Sequence, residues 1–483
     1  MECDVGLVPR PREGSIERVA APVGLASEAA LHGGGPNWDC GNQDKIETGR
    51  SILELHARMR IAFVTFSASG HLNPTTALAR QLQSRNHEVA IISLPDAEPY
   101  VRAAGLAFIP YCEEAFSASS GAKEIRHQIS VIQGLDGVRL IIEALGQMMG
   151  PALSTLPAAL ATARAEAVVL DTNHYYVEVI PMSLGLPYVH ISNALHLDCS
   201  GYTPLCFYDW PHETTPTALA RNRKGVANFA GMLKQANATV RDYAERAGLK
   251  IDWDDPGSTL SPLASITQVP RAFEFESSHW PPQFHHTGPF HDGNGRQNVD
   301  FPWERLTGEP LIYASMGTVM NGRADVFRSI VAALTKHKDL QLVLSVGDRV
   351  DPDQIGAAPK NAIIVKQAPQ LELLKRSSVC ITHAGLNTTL ESLAQGVPQI
   401  AIPVTHDQPG VAARIADKQT GVVTSLDKLT AEHLSTLLDD VLSDPAYRAN
   451  ARKLQQAIKT ANGLSVAADL IEEALGVTDE DGD

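Results

Sequence analysis

The sequence predicts an α/β protein of two domains, each a parallel sheet wrapped by helices, and three observations carry that expectation. Apolar runs of strand length alternate with stretches of helical period, which is how βαβ units read. The alternation occurs twice, on either side of residues 280–302, a stretch rich in Pro, Gly, His and Asn with the composition of an interdomain linker. The chain has 483 residues, more than one hydrophobic core ordinarily organises.

The first βαβ unit is the clearest. Residues 61–66 form an apolar strand pattern, Pro74 opens a helical run through Leu78 and Leu82, and residues 89–92 give the next strand. Strands at 167–170 and 188–191 continue the series. A second series follows at 311–314, 342–344, 362–365, 379–382 and 399–402. Helical patterns then run through Leu434, Leu437 and Val441 and through Leu464, Ala467, Leu470, Ile471 and Ala474, and the terminal helix is expected to cross back and brace the first domain. These readings give an N-terminal domain at 59–295 and a C-terminal domain at 296–476. Residues 1–58 read as a disordered extension or as sequence ahead of a start at Met59, and residues 477–483 as a solvated acidic tail.

A net charge of -15 and the lack of any long Lys/Arg cluster argue against a nucleic-acid partner. A phosphorylated ligand remains compatible, because backbone amides at a helix start hold phosphate without net basicity. Cys3, Cys40, Cys112, Cys199, Cys206 and Cys380 show no CxxC pair and read as free thiols in a reducing compartment. With no apolar run long enough to span a bilayer and no secretory layout at the start, the expected location is cytoplasmic.

In parallel sheets ligands lie beyond the carboxyl ends of the strands, so the loops after Phe66, Leu170, Ala314 and Thr382 are where chemistry is expected. After Thr382, Gly385 lets backbone approach a ligand, and a helix starting near Asn387 and stopping at Gly396 points its free amides and positive dipole end at a site fit for a diphosphate. His383 adds a donor, and Glu391, one turn deeper on the same face, suits ribose hydroxyls. Taken alone, the stretch also reads as an ordinary capped helix with a solvated acid.

It is not alone. Gln367, Ala368, Pro369 and Gln370 upstream and residues 403–409 downstream complete a pattern that resembles the nucleotide-sugar signature of family 1 glycosyltransferases. The resemblance extends over about residues 59–475 and is nearest in texture to bacterial members of the zeaxanthin glucosyltransferase and macrolide types. It implies a GT-B fold, two Rossmann-like α/β domains facing each other across a cleft, and transfer of a hexose, first of all glucose from UDP-glucose, to a hydroxyl of a small hydrophobic acceptor. By the same resemblance Ala368 and Gln370 hold the base, Glu391 the ribose, and His383, Gly385, Asn387 and Thr388 the diphosphate. Asp407 and Gln408 hold the transferred sugar, and Ser315, Gly317 and Thr318 form a second phosphate loop. Plant members stack a Trp on uracil where this chain has Gln367, so a TDP-sugar stays open as co-substrate beside a UDP-sugar.

The first loop, residues 67–74, lacks the three glycines of a dinucleotide fingerprint. Its His71 resembles the family's general base, a task suited to an imidazole, and Asp171 matches the residue that orients that base. Ser192 or Asn193, at the next strand end, is a candidate acceptor contact. One attacking oxygen implies inversion at the anomeric carbon. No cofactor and no metal is expected. Asp252, Trp253 and Asp254 spell a DxD but read as a chance pattern in a loop, and His190, His196, His285 and His286 read as linker and fold residues. The acceptor pocket is expected between residues 116 and 231, from Met148, Met149, Tyr202, Phe207, Tyr208 and Trp210, with the two domains closing for reaction. Two rivals stay open, a nucleotide-sugar-binding protein without transferase activity and a GT-B-fold epimerase, and so does peripheral membrane contact through a lipidic acceptor, although no basic amphipathic helix is evident to support it.

Overall fold

The computed structural model describes residues 58–116, 131–172, 176–236, 238–276, 279–293 and 299–477. The expectations for the N-terminal extension and the acidic tail fall on residues 1–57 and 478–483, outside these. The described chain holds two parallel sheets.

The first sheet takes β1 (Arg60–Val64), β2 (Glu88–Ser93), β3 (Ala107–Pro110), β4 (Ala167–Asp171), β5 (Tyr188–Ser192), β6 (Ser265–Thr267) and β7 (Phe284–His286) in the order β3-β2-β1-β4-β5-β6-β7. Its helices are α1 (Ser69–Ser84), α2 (Glu98–Ala103), α3 (Gly134–Thr162), α4 (Val179–Leu184), α5 (Pro216–Ala236) and α6 (Ala238–Arg246). The period-2 alternation of a strand sends Ile61 and Phe63 to one face, with Leu78 and Leu82 of α1. Ala62 and Val64 go to the other, with Ile142 and Leu156 of α3. Because both faces are covered, these strands read as continuous apolar runs.

The second sheet runs β10-β9-β8-β11-β12-β13. Its strands are β8 (Leu311–Ser315), β9 (Gln341–Ser345), β10 (Ala362–Val365), β11 (Ser377–Thr382), β12 (Gln399–Ala401) and β13 (Gly421–Val423). The accompanying helices are α7 (Ala324–Leu334), α8 (Gln370–Leu374), α9 (Leu386–Ala394), α10 (Gln408–Asp417), α11 (Ala431–Ser443), α12 (Pro445–Ala461) and α13 (Gly463–Ala474). Ile312, Ala314 and Ile381 pack with Phe327 and Ile330 of α7 on one face, and Leu311, Tyr313 and Cys380 line the other.

One sequence expectation changes, and the expected crossing of the terminal helix is observed. Residues 280–302 are not linker throughout, because Phe284, His285 and His286 form β7 and pair with Ser265, Ile266 and Thr267; three residues with two histidines carry no apolar period to announce a strand. The terminal helix, counted by position with the second domain, buries Ala467, Ala468 and Ile471 in the first domain's core, as its apolar stripe suggested. Glu472 of the same helix accepts from Arg85 at 2.5 Å and pairs with the buried His87 at 2.9 Å.

The strand order reverses between β1 and β4 in one sheet and between β8 and β11 in the other. At such a reversal the loops leave in opposite directions and open a crevice. The two sheets meet there. Leu195, Val269 and Phe273 of the first domain share a core with Leu386, Leu390 and Ile415 of the second. Beside it, Arg414 donates to Glu274 through Nε at 2.9 Å and Nη2 at 2.6 Å, both side chains buried. Burial pushes the Glu274 carboxyl up, but Arg414 and His196 hold it well below the usual carboxylate range, so the pair stays ionised and costs dearly to separate.

Truncation of the crossing helix tests its part in the fold. Ile471→Ala should lower the unfolding free energy by about 2–5 kcal/mol, read as a lower urea midpoint at unchanged far-UV circular dichroism. An unaltered midpoint would show that the helix merely rests on the sheet.

Candidate active site

Loops from both sheets, among them those after β1, β5, β8, β11 and β12, converge on one cavity of about 790 Å³ between the domains, with His71, Ser315, Gly317, His383 and Asp407 among its wall. His71 sits in the first turn of α1, immediately after β1, and its amide bonds the Ala68 carbonyl at 2.9 Å. Its Nδ1 lies 2.6 Å from Oδ2 of Asp171, the last residue of β4. That oxygen also accepts from Thr65 Oγ1 at 3.0 Å and from Asn193 Nδ2 at 2.8 Å. Asp171 is fully withdrawn from solvent, whereas the His71 side chain keeps 19% exposure. Burial pulls the His71 imidazole down; the Asp171 carboxylate more than offsets it and leaves the ring above its ordinary value. With Nδ1 engaged, Nε2 is the nitrogen left for chemistry, and Phe66 meets the ring edge-on at 5.2 Å between centroids.

The opposite wall is built on α9. Its N-cap is Gly385 and no side chain caps it; Thr389 is the first amide to bond back, to the Gly385 carbonyl at 3.0 Å. The amides of Leu386, Asn387 and Thr388 precede that first bond, and all three residues border the cavity. His383 is wedged between two glycines: a Cβ on Gly317 or on Gly385 would come within 2.5 Å of its ring. Gly317 also has φ +74°, a left-handed conformation suited to glycine. Burial brings the His383 imidazole down to about 4, so it is neutral at pH 7.

Deeper in, Gln370 is fixed at both ends, its Oε1 accepting from Tyr313 Oη at 3.0 Å and its Nε2 donating to Glu391 Oε2 at 2.6 Å. Gln367, Ala368 and Gln370 border this end of the cavity with Lys366 and Asp348. Gln367 Nε2 reaches Asp348 Oδ1 at 3.5 Å, so polar contacts stand where the resemblance calls for an indole in plant members. Ser315, which ends β8, and Gly317 and Thr318 in the loop after it face the cavity; Asn321 shapes the loop, its Nδ2 donating to the Gly317 carbonyl at 3.1 Å.

Some assigned side chains are already engaged elsewhere. Asn387 donates through Nδ2 to the Gly70 carbonyl at 2.6 Å and accepts on Oδ1 from Gln268 at 2.8 Å, so its backbone amide rather than its side chain is left for a phosphate. Asp407 Oδ2 accepts from the Leu195 amide at 2.8 Å, across the cleft. Gln408 turns Oε1 back to the amides of Val404 and Thr405, at 2.9 and 3.1 Å. Ser192 is fully buried and takes a bond from Thr172 at 3.3 Å, away from the cavity wall, so it is no acceptor contact. Asn193 does border the cavity, but its Nδ2 is committed to Asp171 and to Thr75.

The apolar end of the cavity belongs to the first domain, with Phe116, Ile142, Leu145, Met148, Leu197 and Phe207 on its wall. Of the aromatic and methionine residues expected there, Met148 and Phe207 arrive. Met149 is in the core, Tyr202 stacks on His279, and Tyr208 stacks on Trp210. Ile142 and Leu145, like Met148, come from α3, which the sequence reading did not identify. Asp252, Trp253 and Asp254 lie in a loop away from the cavity, with Asp254 paired to Lys234 at 2.9 Å. Among the described residues, no group of three His, Cys, Asp or Glu has metal-site geometry, and no helix is long and apolar enough to cross a membrane. Gln268, Thr65, Tyr313 and Asn321 escaped the sequence reading; Gln268 directly follows a strand too short to be seen there.

Known proteins resemble this chain in sequence and in fold. Residues 303–461 match the family model described as UDP-glucoronosyl and UDP-glucosyl transferase. A zeaxanthin glucosyltransferase of Pantoea ananas is 25% identical over 412 residues, covering 84% of this chain and 93% of its own. The demethyllactenocin mycarosyltransferase of Streptomyces fradiae is 27% identical over 430 residues, 86% of each chain. Among solved structures, the glycotransferase of kitacinnamycin superposes with a TM-score of 0.67 at 24% identity, covering 87% of this chain and 99% of that one. The calicheamicin glycosyltransferase gives 0.66 at 20%, over 87% and 99%. These are GT-B folds.

The glycine beside His383 gives a direct test of whether this wall holds a diphosphate. In Gly317→Ala the added methyl must displace the imidazole or the loop, and binding of UDP, measured by isothermal titration calorimetry, should weaken by about tenfold or more, or about 1.4 kcal/mol. An unchanged dissociation constant would remove this loop from the diphosphate site.

Proposed function

Starting from a chain that is a bacterial-type family 1 glycosyltransferase of GT-B fold, we propose that it transfers a hexose, glucose from UDP-glucose in the first instance, to a hydroxyl of a small hydrophobic acceptor with inversion. The observation that carries this reading is one cavity with a carboxylate-held imidazole on one wall and the uncapped start of α9 on the other.

The steps follow from that opposition. An acceptor lying along the apolar end presents its hydroxyl to Nε2 of His71, which takes the proton as the oxygen forms a bond to the anomeric carbon. The bond from that carbon to the β-phosphate oxygen breaks on the far side, and its electron pair leaves with UDP. Asp171 stabilises the imidazolium formed, as its position against Nδ1 supports. The amides of Leu386, Asn387 and Thr388, with Thr318 and the neutral His383, meet the charge growing on the diphosphate. Glu391 and Gln370 take the nucleoside and Asp407 and Gln408 the sugar, Asp407 exchanging its Leu195 partner for sugar hydroxyls. One relative's name gives a glucosyl and another's a mycarosyl group, and with Gln367 at the base a TDP-sugar is the competing donor.

Mass spectrometry of reactions pairing UDP- and TDP-sugars with a panel of neutral apolar alcohols decides the donor. A product gaining the mass of a hexose residue from UDP-glucose is expected. Donor binding without any product would favour a binding protein, and a free sugar-nucleotide isomer an epimerase.

His71→Ala should lower kcat by about 10²–10⁴-fold while UDP still binds. Because the base must be neutral, activity should fall as the pH drops through the raised His71 value. Asp171→Asn removes the charge that raises it, leaving burial to lower it, so the acid limb of the kcat/KM profile should move to lower pH as the maximum falls. Turnover of His71→Ala at the wild-type rate would end this mechanism.

A further inference from the structure

Gln268 follows β6 directly and is 2% exposed. Its Nε2 donates both to the Asn193 carbonyl at 2.6 Å and to Asn387 Oδ1 at 2.8 Å, while its Oε1 accepts from the Phe290 amide at 3.4 Å. One amide group thus touches the strand end that supports Asp171 and Asn387 in the first turn of α9. Asn387 in turn donates to the carbonyl of Gly70, the residue before His71. The bonds close on themselves: His71 to Asp171, Asp171 to Asn193, Asn193 to Gln268, Gln268 to Asn387, Asn387 to Gly70 and so to His71.

Resting on the function proposed above, we infer that Gln268 is a positioning residue that sets the aim of His71 only when the start of α9 is docked against it, making alignment of the base conditional on assembly of the diphosphate site. Every member of the circuit except Asn387 belongs to the first domain. Asn387 is flanked by the amides that face the cavity, and its side chain is an amide, able to accept at one end and donate at the other. Gln268 and Gly70 together fix which end is which: Gln268 donates to Oδ1 and the Gly70 carbonyl accepts from Nδ2. That carbonyl orients the peptide plane entering His71, and Ser69 Oγ bonding Thr318 Oγ1 at 2.9 Å holds the same loop to the second phosphate loop. When the domains part, both bonds to the loop break together and the imidazole keeps only Asp171. A base aligned only in the closed cleft suppresses hydrolysis of the donor by water in the open one.

Gln268→Met keeps length and packing and removes both donors; Asn387→Ala removes the other domain's member and keeps the backbone amide. Each should lower kcat by about 10–100-fold with the donor KM within about threefold, and the double variant should be no more than about threefold worse than the poorer single, because both break one circuit. Side-chain NMR of His71, assigned with His71→Gln, gives a readout independent of turnover. UDP should move the His71 titration in the wild type and fail to move it in Gln268→Met. Should the wild type prove to turn over no sugar nucleotide, the function fails but this NMR comparison still decides the circuit. A UDP response retained in Gln268→Met, a kcat within threefold of wild type, or losses that multiply in the double variant would each overturn the inference. Asn387→Ala supplies the same NMR comparison if Gln268→Met does not fold.

Discussion

A helix cannot satisfy its own first amides, and the arrangement of this molecule follows from where α9 spends them. Its start carries no capping side chain, only Gly385, so the amide hydrogens and the positive end of the dipole are left to whatever enters the cavity. Keeping that end open imposes conditions on the neighbours. Gly317 and Gly385 must lack side chains to admit the His383 ring, and Asn387 must turn its side-chain amide away, toward the other domain, where the Gly70 carbonyl accepts from it and Gln268 donates to it.

The fold places the second set of groups opposite by symmetry of construction. Both sheets reverse strand order at their middle, and each reversal delivers two loops to the same side: those carrying His71 and Asp171 in the first domain, those carrying Gly317 and His383 in the second. Bringing the two crevices face to face makes a single cavity with the carboxylate-held imidazole of His71 on one wall and the uncapped start of α9 on the other. The same meeting explains the cost of holding it. The Arg414 and Glu274 pair is buried at the junction, and the chain returns to the first sheet through α13 to clasp it.

Much of this was legible along the chain. Buried parallel strands leave apolar runs of four or five residues, which marked β1, β2, β4, β5 and β8 to β12. The cavity-lining loops were legible because glycines and short polar residues cluster where a strand end meets a helix start, as in residues 382–391. The three-residue strands β6 and β7 left no such mark, since a short strand with one apolar residue is held by its neighbours rather than by its own pattern. Gln268 and the α3 wall were hidden with them.

What the sequence determined by itself was therefore local: which segments are strands and helices, that one helix begins with free amides beside glycines, and that an imidazole follows the first strand. Only the tertiary structure decided that Asp171 reaches that imidazole, that Asn387 serves the opposite domain, that Ser192 is out of reach and that α3 shapes the apolar end. Those outcomes depend on contacts between residues some 100 to 317 positions apart, and such contacts are set by how two sheets pack, which no single stretch of chain records.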